Sequence, residues 1–373
     1  MKKGSLSSGL KLTVPASDWG SFSTKFLSES ESETFKAVDL LVDKEGVRVV
    51  SEKEEEAPPP ITPLDNQLNL ADIDTIKVIG KGNGGIVQLV QHKWTNQFFA
   101  LKPTEICPIE VWVKVWEIHM NIEEPIQRQI ALELKINQSA QCPYVVVCYQ
   151  SSYHNGVISI IFEYMDGGSL EDLLNKVQKI PESYLAAICK QVLNGLMYLH
   201  HEKYIIHRDL KPSNLLINHR GEVKITDFGV SIIMENTSGQ ANTFIGTHSY
   251  MSPERITSNQ NGYDYKSDIW SLGLILLKCA TGQFPYTPPD QREGWENIFQ
   301  LIEVIVEKPS PTAPPEDFSP EFCSFISACL QKNPRDRPSA RDLINHPFIK
   351  LYEDLNVDLS TYFYNAGSTL ATI

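Results

Sequence analysis

Polar side chains near the middle of the sequence have the types and the order that phosphoryl transfer requires. Asp209 can accept the proton of a substrate hydroxyl. Asn214 and Asp227 offer the oxygen ligands that suit magnesium ions bound to nucleotide phosphates. Lys211, between Asp209 and Asn214, completes the candidate catalytic loop. These residues come from the runs His207-Arg208-Asp209-Leu210-Lys211-Pro212-Ser213-Asn214 and Asp227-Phe228-Gly229.

The residues between Asn214 and Asp227 predict a β-hairpin. Two short apolar runs, Leu215–Ile217 and Val223–Ile225, flank a turn-rich quartet at residues 218–221. Such a hairpin brings Asn214 and Asp227 together at its open end. The alternative is a core hairpin between two polar loops without chemistry. That alternative leaves the order of the polar residues and the spaced Asp-Phe-Gly unexplained.

Upstream, glycines at positions 80, 82 and 85 lie between two runs rich in β-branched residues, 75–79 and 86–90. Glycine lets the backbone approach phosphates closely. In dinucleotide-binding folds a similar loop opens a helix, whereas here a second strand follows directly. We therefore predict the tip of a hairpin that covers nucleotide phosphates. The next predicted strand, 98–102, ends on Lys102, which can pair with those phosphates.

A helix is predicted to begin at residues 123–125, where two acids and a proline suit a first turn. Glu133 shares a face with Ile126 and Ile130, and a carboxylate among apolar residues needs a partner. We expect that partner to be Lys102, with a solvent-facing Glu133 as the alternative. After the apolar run 157–162, the backbone groups of Glu163 and Met165 are candidates for binding adenine.

Composition limits the class of protein and its partners. With 373 residues, 42% of them hydrophobic, the chain is long enough for a two-lobed domain with flanking tails. The net charge of −13 disfavours nucleic acid and anionic membranes as partners. Seven cysteines without a C-x-x-C pair indicate a reducing compartment. No signal-peptide pattern, lipidation motif or membrane-spanning run is present, so we expect a cytoplasmic protein, with the nucleus as a second compartment.

The expected organisation has three parts. Residues 1–70 are rich in Ser, Glu and Pro and are expected to be mostly disordered. A catalytic domain is expected over 71–349, with a small lobe at 71–165 and a larger one at 166–349, and a tail follows at 350–373. Within the disordered arm, two basic and two apolar residues form a candidate docking motif: Lys2, Lys3, Leu10 and Leu12.

Three further features belong to the larger lobe. Ser169 to Asp172 forms a predicted capping box at the start of a helix. Glu254 and Arg337 are a predicted buried ion pair. An apolar stripe predicts a long helix that ends at the catalytic loop, and it consists of Leu185, Ile188, Val192, Leu196 and Leu199.

The sequence resembles the MAP kinase kinases of plants over nearly its whole length. The motifs 207–214, 227–229 and 252–254 are typical of any protein kinase. Three longer segments are more specific to this family: Asp166-Gly167-Gly168-Ser169-Leu170, Gly246-Thr247-His248-Ser249-Tyr250-Met251-Ser252-Pro253-Glu254-Arg255 and Ser267-Asp268-Ile269-Trp270-Ser271-Leu272-Gly273.

The resemblance implies a fold, an activity and a set of partners. The fold is an α+β two-lobed protein kinase, with a small β-rich lobe carrying one main helix and a larger, mostly helical lobe. The activity is transfer of the ATP γ-phosphate to a Thr and a Tyr of a MAP kinase, after activation by a MAP kinase kinase kinase at Thr237 and Thr243. The cofactors are ATP and Mg²⁺, and the implied ATP-binding residues are Ile79, Gly80, Gly82, Gly85, Val87, Lys102, Glu163 and Met165.

One segment departs from the family pattern. Residues 103–116 add roughly fourteen positions between Lys102 and the predicted helix. Pro103 lacks the N–H of an interior strand, and a Val/Trp run follows it. We expect these features to favour a displaced helix or aggregation and to lower ATP turnover, while the fold and docking survive. Deleting residues 103–116 is then expected to restore turnover. Two interpretations remain open, an active dual-specificity kinase and a low-activity isoform that binds a MAP kinase as a decoy or scaffold. The sequence of residues 246–255 disfavours a different Ser/Thr kinase family.

Overall fold

The computed structural model describes most of the catalytic region and short parts of the sequence before it. All described residues belong to one compact unit, Glu33–Ile373. They are residues 35–37, 40–43, 46–49, 68, 70–82, 85–105, 124–154, 157–229, 231–233, 248–257, 264–287, 298–355 and 357–367.

The small lobe is a five-stranded antiparallel sheet with one long helix beside it. The strand order is β4-β5-β6-β8-β7, and the helix α1 lies against β7. Alternating side chains bury one face, where Val90, Phe99 and Ile161 pack against Leu68. The elements are β4 (Ile73–Gly82), β5 (Gly85–His92), β6 (Phe98–Glu105), α1 (Glu124–Ser139), β7 (Cys148–His154) and β8 (Val157–Glu163).

Strand β6 does not end at Lys102, contrary to our expectation. It continues to Glu105, and Pro103 lies opposite Ser159 of β8. On its other side, β5 pairs with β6 only as far as Leu101. Pro103 therefore has a paired neighbour on one side only, which is the position where a sheet tolerates a residue without an N–H.

Part of the range 1–70, which we expected to be mostly disordered, has strand structure. Strands β1 (Phe35–Ala37), β2 (Leu40–Asp43) and β3 (Gly46–Val49) form an antiparallel sheet, and β2 and β3 lie against β7. Antiparallel pairing between short strands that are close in sequence gives this segment a local source of order that composition alone does not show.

The larger lobe is mostly helical and encloses the main core. Helix α5 lies at its centre and is buried on nearly all sides, as its almost continuous apolar sequence requires. The predicted stripe on α3 is buried, and the capping box of Ser169 and Asp172 is present. The helices are α2 (Leu170–Val177), α3 (Glu182–Met197), α4 (Pro253–Thr257), α5 (Lys266–Thr281), α6 (Ile298–Glu307), α7 (Pro320–Cys329), α8 (Ala340–Leu343), α9 (Pro347–Leu351) and α10 (Leu359–Asn365).

The predicted hairpin forms between the two lobes. Leu215 pairs with Ile225 and Ile217 with Val223, in antiparallel register. The short strands of this lobe are β9 (Gly168–Ser169), β10 (Ile205–Ile206), β11 (Leu215–Ile217), β12 (Val223–Ile225) and β13 (Ile232–Ile233). A π-helical turn, Tyr198–Glu202, joins α3 to β10.

Part of the predicted tail, residues 350–373, packs on the larger lobe. Helix α10 lies in the predicted tail, but Phe363 and Leu359 are buried in the main core. Tyr362 stacks on Tyr184 of α3, with ring centroids 3.9 Å apart. These residues are apolar enough to hold the segment on the lobe. Within the described residues, no helix combines the length and apolar character needed to cross a bilayer.

Candidate active site

Lys102 connects the two lobes through two carboxylates. Its Nζ lies 2.7 Å from Glu133 Oε1 on α1 and 3.7 Å from Asp227 Oδ1 after β12. Burial opposes the charged form of Lys102, but the two carboxylates outweigh burial, so its pKa is raised. The predicted Lys102–Glu133 pair is confirmed, and the displaced helix that we expected from the added segment is not observed.

The catalytic loop holds Asp209 through its own neighbours. Lys211 Nζ lies 2.7 Å from Asp209 Oδ2. The amide Nδ2 of Asn214 donates to the Asp209 carbonyl at 2.9 Å and to Oδ2 at 3.2 Å. Two other predicted residues, Lys211 and Asn214, therefore contact the Asp209 carboxylate, which is oriented before any substrate binds.

Asn214 and Asp227 are neighbours at the open end of the hairpin, as predicted. The backbone N–H of Thr226 donates to the Asn214 carbonyl at 3.0 Å. Asp227 has a positive φ of 70°, a backbone conformation that non-glycine residues rarely adopt. Its carboxylate accepts from the Gly229 N–H at 3.3 Å. Phe228 is buried against His207, with ring centroids 5.4 Å apart.

These two residues fit a magnesium ion in the type of their donor atoms. Asn214 uses its amide nitrogen for both bonds to Asp209, which leaves its amide oxygen as the acceptor. The Asp227 side chain is 34% exposed and is accessible to an ion. Magnesium prefers oxygen ligands and takes few of them from protein, with phosphates and water completing its shell. Among the described residues no cluster of three or more His, Cys, Asp or Glu forms an all-protein metal site.

Asp268 organises the catalytic loop and was not among our predicted site residues. Its two carboxylate oxygens accept the backbone N–H groups of His207 and Arg208, each at 2.9 Å. Oδ2 also lies 2.9 Å from Nε2 of His200. Burial raises the pKa of Asp268, but these hydrogen bonds and the nearby histidines outweigh burial, so its pKa lies below its usual value. Arg208, with a φ of 69°, is held from the other side by Arg255, whose Nη1 donates to its carbonyl.

A signal for Asp268 was present in the sequence. It is the one carboxylate in α5, and every other residue between Lys266 and Lys278 is apolar or small. A buried carboxylate requires partners, which is the reasoning that identified Glu133. The sequence did not show that those partners are backbone N–H groups of the catalytic loop.

The predicted pair of Glu254 and Arg337 is confirmed. Arg337 Nη1 lies 2.8 Å from Glu254 Oε1, and Nη2 lies 3.2 Å from Oε2. The guanidinium also packs over Trp270, 5.2 Å from the ring centroid. The pair joins α4 to the segment before α8 and supports the large lobe beside the catalytic loop.

The candidate nucleotide residues lie on β4, β5 and β6 and at the end of β8. Gly82 and Gly85 face each other across the β4–β5 hairpin, so the glycine loop is a hairpin tip, as predicted. Ile79 and Gly80 lie on β4 and Val87 on β5. Glu163 ends β8 and Met165 follows it. Residues 106–123 and the candidates Thr237, Thr243, Lys2, Lys3, Leu10 and Leu12 lie outside the described residues.

Comparisons with known proteins agree with this geometry. The chain matches the protein kinase domain family over residues 73–349. It is 64% identical over 373 residues to the tobacco mitogen-activated protein kinase kinase SIPKK, covering 100% of this chain and 99% of that protein. The chain belongs to the MAP kinase kinase family of plants. Over 373 residues this MAP kinase kinase is also 59% identical to mitogen-activated protein kinase kinase 2 of Arabidopsis thaliana, covering 100% of this chain and 98% of that protein.

A more distant relative supports the same family. The dual specificity mitogen-activated protein kinase kinase dSOR1 of Drosophila melanogaster is 39% identical over 313 residues, covering 79% of this chain and 74% of that protein. The chain is therefore a protein kinase that uses ATP. The decoy interpretation loses its structural argument, because the Lys102–Glu133 pair is formed.

Proposed function

We propose that this kinase phosphorylates a Thr and a Tyr in the activation loop of a MAP kinase. The observation that carries the proposal is the Lys102–Glu133 pair of 2.7 Å in a chain that aligns from end to end with a MAP kinase kinase. This pair is the arrangement that positions ATP in active kinases.

In the proposed reaction, each charged group has a separate task. Asp209 orients the substrate hydroxyl and accepts its proton, while Lys211 offers positive charge beside the transferred phosphoryl group. Lys102 holds the ATP phosphates and is kept in place by Glu133. Asn214 and Asp227 would hold Mg²⁺, which neutralises charge developing on the phosphates. The backbone of Glu163 and Met165 would bind adenine, against Ile79 and Val87, beneath the loop of Gly80, Gly82 and Gly85.

The test is direct phosphorylation of a purified kinase-inactive MAP kinase. With ATP and Mg²⁺, the wild-type chain is expected to add phosphate to one Thr and one Tyr, which mass spectrometry locates. Removal of Mg²⁺ with a chelator should abolish transfer. Phosphate on serine or threonine alone, or on residues outside the activation loop, would contradict dual specificity.

The proposed switch is phosphorylation of Thr237 and Thr243 by a MAP kinase kinase kinase. Each phosphate adds nearly two negative charges, which can order a segment by pairing with an arginine such as Arg208. Replacing both threonines with alanine is expected to block activation by the upstream kinase, and replacing both with aspartate to raise basal activity. Full activation of the double-alanine variant would assign the switch to other hydroxyls.

The proposed docking motif consists of Lys2, Lys3, Leu10 and Leu12. Two lysines and two leucines suit an acidic patch beside an apolar groove on a MAP kinase. Changing both lysines to glutamate should weaken MAP kinase binding, with the largest effect at low salt. Phosphorylation of a short peptide without a docking groove should not change.

We propose the cytoplasm or the nucleus as the compartment in which this kinase acts. The free cysteines among the described residues are consistent with a reducing compartment.

A further inference from the structure

A buried lysine with no assigned role lies on the strand that leads to the catalytic Asp-Phe-Gly. Lys224 is the central residue of β12, and its residue surface is only 5% exposed. Its Nζ lies 2.7 Å from Oε1 and 2.9 Å from Oε2 of Glu163. Burying two charges is expensive, so a pair in this position needs compensating contacts.

Glu163 has a further partner that places it at a three-way junction. Its Oε2 accepts the backbone N–H of Val147 at 3.3 Å, and its own N–H donates to the Val147 carbonyl at 2.9 Å. The segment around Val147 is bonded in turn to β12, because Val146 N–H donates to the Ile225 carbonyl at 2.9 Å. The last residue of β8 is therefore tied to the α1–β7 connection and to the catalytic hairpin at once.

The segment after Glu163 is held to the same hairpin. Gly167 N–H donates to the Ile217 carbonyl at 3.0 Å. A Cβ at Gly167 would lie 2.8 Å from the Ile217 carbonyl oxygen, so the two backbones approach as closely as glycine permits. Asp166 accepts from the His219 N–H at 2.8 Å. The connection between the lobes is thus anchored at both of its ends to β11 and β12.

We propose that Lys224 is a positioning residue for the nucleotide. Through the Glu163 carboxylate it fixes the backbone of residues 163–165 relative to the hairpin that carries Asn214 and Asp227. The carboxylate of Glu163 points into this junction. The Glu163 side chain therefore holds the connection between the lobes in place, and the Glu163 backbone is left to bind adenine. The inference rests on the proposed binding of adenine by that backbone.

The consequence for kinetics is a specific loss of ATP binding. Adenine and phosphates contact parts of the protein that the Lys224–Glu163 pair holds in register, so loosening the pair should raise KM for ATP. Asp209 and Lys211 lie on another segment, so kcat should change little. A merely structural role predicts a different result, because a smaller folded fraction lowers apparent kcat without changing KM.

The experiment measures KM for ATP, kcat and melting temperature for a set of variants. Lys224→Met and Glu163→Gln are each expected to raise KM about five- to tenfold, with kcat within about twofold of wild type. The double variant should be no worse than either single one, because both remove the same contact. Lys224→Arg keeps the charge and should restore KM to within about twofold.

A control ion pair is available within the large lobe. Lys278 Nζ lies 2.7 Å and 3.0 Å from the two carboxylate oxygens of Glu171, joining α5 to α2. Lys278→Met removes a two-oxygen ion pair that involves neither residues 163–165 nor β12, so it should leave KM for ATP unchanged. If Lys224→Met does not fold, the double variant Glu163→Met/Lys224→Met decides, since an apolar pair often replaces a buried ion pair without loss of stability.

Several outcomes would overturn the inference. They are an unchanged KM for ATP in folded Lys224→Met, additive effects in the double variant Lys224→Met/Glu163→Gln, or a rise in kcat at constant KM, which would show that the pair restrains lobe motion. Failure of the underlying proposal is visible separately in the wild type. Adenosine should inhibit it competitively against ATP, and absence of that competition would remove adenine binding by residues 163–165, whatever the variants show.

Discussion

Asp209 and Asp227 are both carboxylates of the site, but their surroundings suit them to different tasks. The Asp209 side chain is 11% exposed and is held by Lys211 and Asn214. The Asp227 side chain is 34% exposed and faces Lys102 at 3.7 Å. The more enclosed carboxylate suits orientation of one hydroxyl, whereas the more open one has room for an ion and phosphates.

Neutralising either carboxylate should therefore abolish transfer without unfolding the protein. Asp209→Asn removes the proton acceptor and Asp227→Asn removes a charged magnesium ligand. Each is expected to lower kcat by about three powers of ten. Asp354→Asn, at an exposed position near the C-terminus, serves as the control and should retain full activity. Turnover near the wild-type rate in either site variant, with an unchanged melting temperature, would refute the assignment.

Asp268 gives the stability of the protein a specific pH dependence. Its pKa is lowered in the folded state from 3.8, so its contribution is present above about pH 3.8 and is lost as the pH falls through the folded pKa. Asp268→Asn keeps one acceptor oxygen and loses the charge, which should cost about 2–3 kcal/mol at neutral pH. The difference in unfolding free energy between wild type and variant should shrink below about pH 4.

Urea denaturation between pH 3 and pH 7 measures that difference directly. Subtracting the variant from the wild type removes the titration of the other carboxyl groups. A constant difference over this range would show that Asp268 does not stabilise the fold through its charge.

At the scale of elements, the C-terminal helix supports the catalytic hairpin. Gly221, in the turn between β11 and β12, has a φ of 76°. A Cβ there would lie 2.8 Å from the backbone nitrogen of Ser360, just inside α10. The turn that fixes Asn214 and Asp227 therefore packs directly against a segment more than a hundred residues later.

Replacing Gly221 with alanine should destabilise the protein by about 2–4 kcal/mol, because backbone strain and a backbone clash combine. Gly367→Ala is the matched control, since Gly367 has a φ of 69° and no atom within 4 Å of the added Cβ. It should cost only about 1 kcal/mol. Thermal unfolding compares the two, and equal losses would show that α10 does not restrain the turn.

The connection between β6 and α1 contains most of the added residues 103–116. Lys102 and Glu133 meet across it, so added length has not prevented their contact. Closure entropy grows slowly with loop length, by about 0.6 kcal/mol for each doubling. Deleting residues 106–116 is therefore expected to leave kcat and KM for ATP within about threefold of wild type.

The small effect now expected for this deletion replaces our earlier expectation that the added residues lower ATP turnover. That expectation depended on a lost sheet bond at Pro103 and a displaced helix, and β6 and the ion pair show neither. A tenfold or larger rise in activity after the deletion would restore the earlier interpretation. Solubility measured in parallel separates catalysis from aggregation through the Val/Trp run.

At the scale of the whole molecule, buried ion pairs join distant segments. Arg337 and Glu254 are both buried and are separated by 83 positions. Removing one partner of such a pair leaves an uncompensated charge. Arg337→Met should therefore lower the unfolding free energy by about 3–5 kcal/mol, and Glu254→Gln/Arg337→Met should recover part of it.

An exposed pair provides the comparison. Lys350 lies 2.8 Å from Glu353 on the surface of the large lobe, and Lys350→Met should change stability little, since surface ion pairs contribute little. Urea denaturation measures all three variants. Equal effects of Arg337→Met and Lys350→Met would show that the buried pair does not brace the lobe.

Local sequence determined the chemistry of this protein. Asp209, Asn214 and Asp227 are close in sequence, and turn residues at 218–221 suffice to bring the last two together, because a short hairpin leaves few alternatives. Lys102 and Glu133 were paired correctly because a carboxylate on an apolar helix face requires a cation.

Tertiary structure decided the contacts whose partners are far apart or are backbone groups. Asp268 binds backbone N–H groups, which every residue type except proline offers, so no sequence pattern marks them. Lys224 and Glu163, and Gly221 and Ser360, meet only because β8 and α10 pack on the hairpin. Whether β1 to β3 form, and whether β6 continues through Pro103, depends on which strands lie beside them. Strand pairing in a sheet is a property of the folded chain rather than of a single segment.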